Sequence, residues 1–177
     1  MDWLYKLFYP SHVPADFTGA GCIFTNDTHI LAGYQPNKKR PYIGGIGGKR
    51  EGNEEYVVTA LRETLEELFM IHPTRQEILD IYTIVKPSKV FNNGSYIILK
   101  YSFQDLELIM QIVGKKHDSS LYNEFPTTIA DLILNRLKRH SELTQLVLLP
   151  YEKNIKISQD FVEDINFIYG LRPLISQ

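Results

Sequence analysis

The chain has 177 residues, 44% hydrophobic and 12% aromatic, with 19 basic and 21 acidic side chains and a formal net charge of -2. Such a length buries roughly 70% of the unfolded surface in one core, so a single domain over residues 1–177 is expected, and a near-neutral chain without a long basic tract does not suit a general nucleic-acid coat protein. The lone cysteine, Cys22, excludes disulfide stapling within the chain; its apolar surroundings, Gly19 to Thr25, predict a buried strand thiol in a reducing compartment. Residues 1–14 lack a basic start or a long apolar run, so neither a signal peptide nor a membrane span is expected, and a cytoplasmic location is.

In chain order, Ala20 to Phe24 and His29 to Tyr34 read as strands of a hairpin closed by Thr25-Asn26-Asp27-Thr28. Arg40 to Ile43 reads as a short strand entering the turn Ile43-Gly44-Gly45-Ile46-Gly47-Gly48-Lys49, whose glycines let backbone groups approach a ligand closely. A helix carrying Glu63, Glu66 and Glu67 follows. Leu79 to Val85 and Ser95 to Phe103 read as paired strands turned at Asn92-Asn93-Gly94. Pro126 and the Thr127-Thr128 pair open a predicted helix over Thr127 to Arg139, which looks like an insertion between sheet strands. Gln145 to Leu149 reads as a strand ended by Pro150, and Gln159 to Tyr169 as a further helix.

At the helical period Val57, Val58, Leu61, Leu65 and Leu68 share one arc and Glu63, Glu66 and Glu67 share the opposite one. Spacings of three and four residues put three carboxylates on one face, one turn apart. That cluster suits a hard divalent cation; taken alone it better suits a solvated acidic surface, with Arg62 offsetting part of the charge.

The upstream residues add to it. Gly48, five residues, Glu54, seven residues and then Arg62-Glu63-Thr64-Leu65-Glu66-Glu67 resembles the signature of the Nudix hydrolases, G-x5-E-x7-R-E-U-x-E-E-x-G-U with U a bulky aliphatic residue. Gly48, Glu54, Arg62, Glu63, Glu66, Glu67 and Met70 match, whereas Thr64 stands at an aliphatic position and Phe69 at the glycine. Thr64 is close to valine in volume, and its hydroxyl needs a partner such as the carbonyl one turn back. Phe69 predicts that the helix does not end at a left-handed glycine and runs on through Met70 and Ile71 until Pro73. Asn53 is expected to take a left-handed conformation or to cap the helix.

The resemblance implies an α/β/α sandwich around a mixed sheet, and hydrolysis of a diphosphate linked to another group, with water attacking phosphorus. It implies Mg2+, with Mn2+ as the alternative, held by Glu63, Glu66, Glu67 and the backbone carbonyl of Gly48. Arg62 would hold one carboxylate in place and Glu54 would brace the loop-helix junction. The general base is drawn either from this helix or from a later loop, where Glu142 is the leading residue and Glu124 a weaker one. The adjacent His117 and Asp118 read as surface loop.

Substrate choice is less legible. Lys38, Lys39 and Arg40 are candidates to grip phosphates, and Tyr34 and Tyr42 to stack on a base, although a solvated loop and strand packing are the competing readings. A small nucleotide such as a nucleoside triphosphate is the expected substrate. Capped RNA is the alternative if the basic segments 38–40, 115–117 and 136–140 converge into a track, and a non-catalytic module binding a nucleotide or a protein is the alternative outside the enzymes.

Overall fold

The computed structural model describes residues 16–36, 42–137 and 141–150. They form a mixed α/β fold with elements in the order β1 (Gly19–Thr25), β2 (His29–Gln35), β3 (Tyr42–Gly44), β4 (Ile46–Lys49), α1 (Tyr56–Phe69), α2 (Arg75–Ile84), β5 (Lys89–Asn93), β6 (Tyr96–Ser102), α3 (Phe103–Val113), α4 (Ile129–Leu134) and β7 (Gln145–Pro150). The strands make one sheet, β3-β2-β1-β6-β5, with β4 added to β1 and β7 to β2. β1 and β6 run parallel along their whole length, Gly19 opposite Tyr96 through Thr25 opposite Ser102, and the other pairs are antiparallel.

β1 and β2 register at Thr25 and Ile30 and then diverge, β4 pairing with the start of β1 and β3 with the end of β2. The chain crosses this split at Gly45, the one residue between β3 and β4. The expected glycine turn is therefore mostly strand. On one face of the sheet Ala20, Cys22 and Phe24 alternate with smaller or half-buried residues, and α1 covers them, with the Cys22 thiol 3.7 Å from the Ala60 carbonyl. Burial pushes the thiol up to about 12, as expected of an inert core cysteine.

The apolar arc of α1 is buried as predicted, Val57, Leu61 and Leu68 completely. Its end is not as predicted. The helix stops at Phe69, and Met70 takes the left-handed conformation (φ 54°), donating its amide to the Glu66 carbonyl while Ile71 donates to Leu65. Phe69 itself is fully buried and stacks on Phe125 at 5.1 Å, so packing gained there offsets the roughly 1 kcal/mol of a non-glycine left-handed residue. Asn53 neither turns left-handed nor caps: Gly52 has the positive φ and Glu55 is the N-cap. Thr64 donates to the Ala60 carbonyl at 2.8 Å, one turn back, as anticipated.

Residues 79–85, read as a strand, belong to α2 and its C-terminal boundary. A capping box in which Thr74 and Glu77 bond each other's backbone amides starts that helix, and Ile78, Ile81 and Tyr82 bury one stripe of it; this overrides the β-branched character of the segment. The strand that pairs with β6 is β5 instead, and the tight turn falls at Gly94 and Ser95. α3 was not foreseen, because Ser102 is both the last residue of β6 and the helix N-cap, with no glycine or proline between. The helix expected at 127–139 is shorter, α4 being closed by Asn135, and the helix expected at 159–169 lies outside the described residues. Among the described residues no helix is long and apolar enough to cross a membrane.

Candidate active site

Arg62 organises the acidic face of α1. Only 7% exposed, it donates from Nε to Glu54 Oε1 at 2.9 Å, from Nη2 to Glu54 Oε2 at 3.2 Å, and from Nη1 to Glu63 Oε1 and Glu66 Oε2, each at 3.0 Å. Nη2 also reaches the Lys49 carbonyl at 2.9 Å, tying α1 to β4. The sequence predicts one carboxylate on this arginine; the structure hydrogen-bonds three to it and sets a fourth, Glu51, at 3.8 Å. Only a planar fork of donors serves so many acceptors at once, which a lysine cannot copy. Burial alone would push the guanidinium pKa down, but the bonds and charges of Glu54 and Glu63 outweigh it and the net shift is upward.

Glu54 braces the junction as expected. Its Oε2 accepts from the Glu51 amide at 3.2 Å and from the Thr59 hydroxyl at 3.0 Å. Burial opposes its ionisation, yet Arg62 and these donors hold the carboxyl below its usual value.

Glu67 differs from the other two helix glutamates. It is 6% exposed, not part of an open acidic face, and its Oε2 accepts the Gly47 amide at 2.9 Å. Burial pushes its carboxyl up to about 8; the Gly47 amide opposes this, and the charges of Glu142 and Glu63 add to it. Burial likewise raises Glu63, with Arg62 opposing and Glu66 and Glu142 adding. Glu142 is exposed, and its charge acts on both Glu63 and Glu67, so the fold brings it to the helix face across more than 70 residues of chain.

The glycines of β4 make room for this arrangement. A Cβ on Gly48 would lie 2.4 Å from the Glu63 carboxyl carbon, so only glycine lets that carboxylate lie across the strand. The Gly48 carbonyl faces Gly19. Gly47 and its cross-strand partner Gly21 are packed under the Tyr96 hydroxyl, which a Cβ on either would approach within 2.6 Å, and Gly47 has φ 146°. These glycines admit a carboxylate and a tyrosine from the protein itself.

Other expected residues are placed less centrally. Tyr34 lies in β2, its carbonyl accepting the Thr144 amide at 3.0 Å. Lys38, Lys39 and Arg40, and the side chain of Tyr42, lie outside the described residues. Glu124 is exposed and lines a shallow depression with Asn123 and Arg136. His117 is in a loop and bonds Glu77 at 2.9 Å. Arg136, expected on a basic track, points inward to main-chain carbonyls of α1. Residues 38–40 and 138–140 of that track are outside the described residues.

Sequence reasoning missed His72, whose Nδ1 lies 3.1 Å from Glu66 Oε1, and it missed the roles of Gly47, Tyr96 and Arg136. Among the described residues no three His, Cys, Asp or Glu side chains are gathered into a ready-made cation cage. The donors nevertheless fit a hard divalent cation in kind: the carboxylates of Glu63, Glu66 and Glu67 and the carbonyl of Gly48 all offer oxygen, and burial that disfavours the charge of Glu67 is relieved by a nearby positive ion.

No family model matches the chain, and no curated protein sequence does. Among solved structures it is similar to a bifunctional NMN adenylyltransferase/ADP ribose pyrophosphatase from Francisella tularensis, complexed with AMP and Mn ion, at 15% identity over 95% of this chain and 44% of that one, with a TM-score of 0.41. The chain thus spans less than half of that enzyme. It is also similar to a NUDIX-family hydrolase from Clostridium perfringens, at 15% identity over 88% of this chain and 96% of that one with a TM-score of 0.33, and to the T. brucei MERS1-RNA complex, at 10% identity over 89% and 56% with a TM-score of 0.33.

Proposed function

We propose that this chain is a divalent-cation-dependent hydrolase of the Nudix type, cleaving a diphosphate joined to another group in a small nucleotide. The observation that carries this reading is the convergence of Glu54, Glu63 and Glu66 on Arg62 beside a buried Glu67, at the positions of the signature. A surface helix needs no such arrangement: a solvated acidic face leaves its carboxylates in water, and burying Glu67 costs stability that a binding role recovers.

In this reading Glu63, Glu66 and Glu67 would hold Mg2+ or Mn2+, which, when bound, neutralises the phosphate oxygens and orients the water. Arg62 fixes the rotamers of Glu63 and Glu66, and the Gly47 amide fixes Glu67, so the oxygens are oriented before substrate arrives. A water oxygen bonds to phosphorus, the bridging P–O bond breaks, and the leaving phosphate takes the electron pair. The proton of that water goes to Glu142 or to Glu67. Glu142 suits the role by its exposure beside the helix glutamates, and Glu67 by its place among the carboxylates that would hold the cation.

The test is incubation of the protein with Mg2+ or Mn2+ and a panel of nucleoside triphosphates, dinucleoside polyphosphates, nucleotide sugars and methyl-capped RNA, following release of monophosphate or pyrophosphate. Turnover of a small nucleotide supports the reading, and turnover of capped RNA alone moves the substrate to RNA. Tight binding of one compound without any turnover defeats the enzyme assignment in favour of a binding module.

A further inference from the structure

The guanidinium of Arg136 makes four hydrogen bonds to uncharged acceptors. Nη1 donates to the Leu68 carbonyl at 2.7 Å and the Tyr122 hydroxyl at 2.9 Å; Nη2 donates to the Glu67 carbonyl at 2.8 Å and the Leu143 carbonyl at 2.9 Å. The first and third are carbonyls of the last turn of α1, which lack intrahelical donors. α1 has no basic side chain of its own in that turn, so Arg136 supplies the positive charge that the negative helix end favours. Tyr122 is aimed in turn, its hydroxyl bonding the Leu132 carbonyl at 3.0 Å.

The fourth acceptor gives this hub its consequence. Leu143 is fully buried, its side chain packed so closely on Gly33 that a Cβ there would lie 2.5 Å away, and its carbonyl also accepts the Ser141 hydroxyl at 2.6 Å. Glu142 is the residue between these two anchors. One guanidinium plane thus joins the backbone of Glu67 to the backbone beside Glu142.

We propose that Arg136 is a positioning residue that sets Glu142 against Glu63 and Glu67 by holding the α1 terminus and the Leu143 carbonyl in one donor plane. The inference rests on the proposed hydrolase and adds a determinant of its geometry. A lysine keeps the charge but cannot present coplanar donors to four acceptors, so Arg136→Lys should misplace Glu142 without unfolding the chain.

The experiment is a double-mutant cycle of Arg136→Lys and Glu142→Gln, read in kcat, in KM and in the Kd for Mn2+ measured by electron paramagnetic resonance. Arg136→Lys should lower kcat about 10-fold with KM within about 2-fold, and the double variant should be no slower than Glu142→Gln alone. Hydrogen exchange of Arg136→Lys should rise in peptides covering 65–70 and 141–145 and stay unchanged across β1 and β6. Multiplying effects in the cycle, a Glu142→Gln enzyme of wild-type rate, or unchanged exchange at 141–145 would each overturn the proposal while leaving an active wild-type hydrolase intact. A wild type that neither turns over the panel nor binds Mn2+ overturns both readings.

Discussion

Two arginines hold α1, Arg62 from within it and Arg136 at its C-terminal end, and they bind in opposite ways. Arg62 gathers carboxylates that are one, four and eight residues away, whereas Arg136 gathers carbonyls 68 and 69 residues away together with Leu143 and Tyr122. The first network is ionic and local, the second neutral and long-range. Their difference teaches that charge pattern along a helix announces an ion cluster, while a guanidinium that caps a helix end with main-chain acceptors leaves no trace in the neighbouring sequence.

The comparison can be tested from both ends of the helix. The largest effect is expected on the Arg136 side: Phe69→Gly, which restores the signature glycine, should cost about 4 kcal/mol by emptying the space against Phe125 and Tyr122, read by urea denaturation. A neutral outcome would mean that the helix exit tolerates either residue and that Phe69 is not a packing anchor.

Arg62→Met should cost about 3 kcal/mol at pH 7, because three partly buried carboxylates lose their cation. Its pH dependence separates the two arginines. Glu54 is held below its usual value in the folded chain, so the stability it draws from Arg62 is present above the unfolded value of 4.5 and is lost as pH falls through the folded one. The Arg62→Met penalty should therefore shrink between pH 5 and the acid limit. Arg136→Met should cost about 2 kcal/mol and stay flat between pH 5 and the acid limit, where its carbonyl acceptors do not titrate. Equal pH profiles for both variants would erase the distinction drawn here.

Glu67→Gln should reduce turnover on the order of 100-fold, or about 2.7 kcal/mol of barrier, in the assay proposed above. In chelator-treated protein the same variant should gain stability over the wild type. A carboxyl raised to about 8 contributes stability that is complete below 4.5 and is lost as pH rises through 8, so the advantage of glutamine should grow from pH 5 to pH 9. A melting difference that stays flat over that range would show that Glu67 is not buried as described. The smallest effect belongs to Thr64→Val, about 0.5 kcal/mol or less, because the Ala60 carbonyl one turn back that loses the hydroxyl still accepts from the Cys22 thiol.

Much of the site was legible in residues 48–67. The apolar arc, the bracing by Glu54 and the Thr64 back-bond appear in the structure as expected, whereas Glu67 of the acidic arc is buried. The misreadings share one cause, competition between local signals. The β-branched run at 79–85 is helical because a Thr74-Glu77 capping box fixes its start, α3 is hidden because Ser102 ends a strand and caps a helix at once, and the β4 glycines seat Tyr96 and Glu63 in a strand where a ligand-binding turn was expected.

By itself the sequence determined which side chains carry charge, at what spacing, and on which arc of α1, because helix geometry converts spacing of three and four directly into a shared face. Only the tertiary structure decided that Glu67 is buried while Glu66 is not, that Met70 ends the helix, and that Arg136 turns from a basic run into the α1 terminus. Those depend on what packs against each residue, and burial and main-chain acceptors are set by strands and loops distant in sequence, where local pattern carries no information.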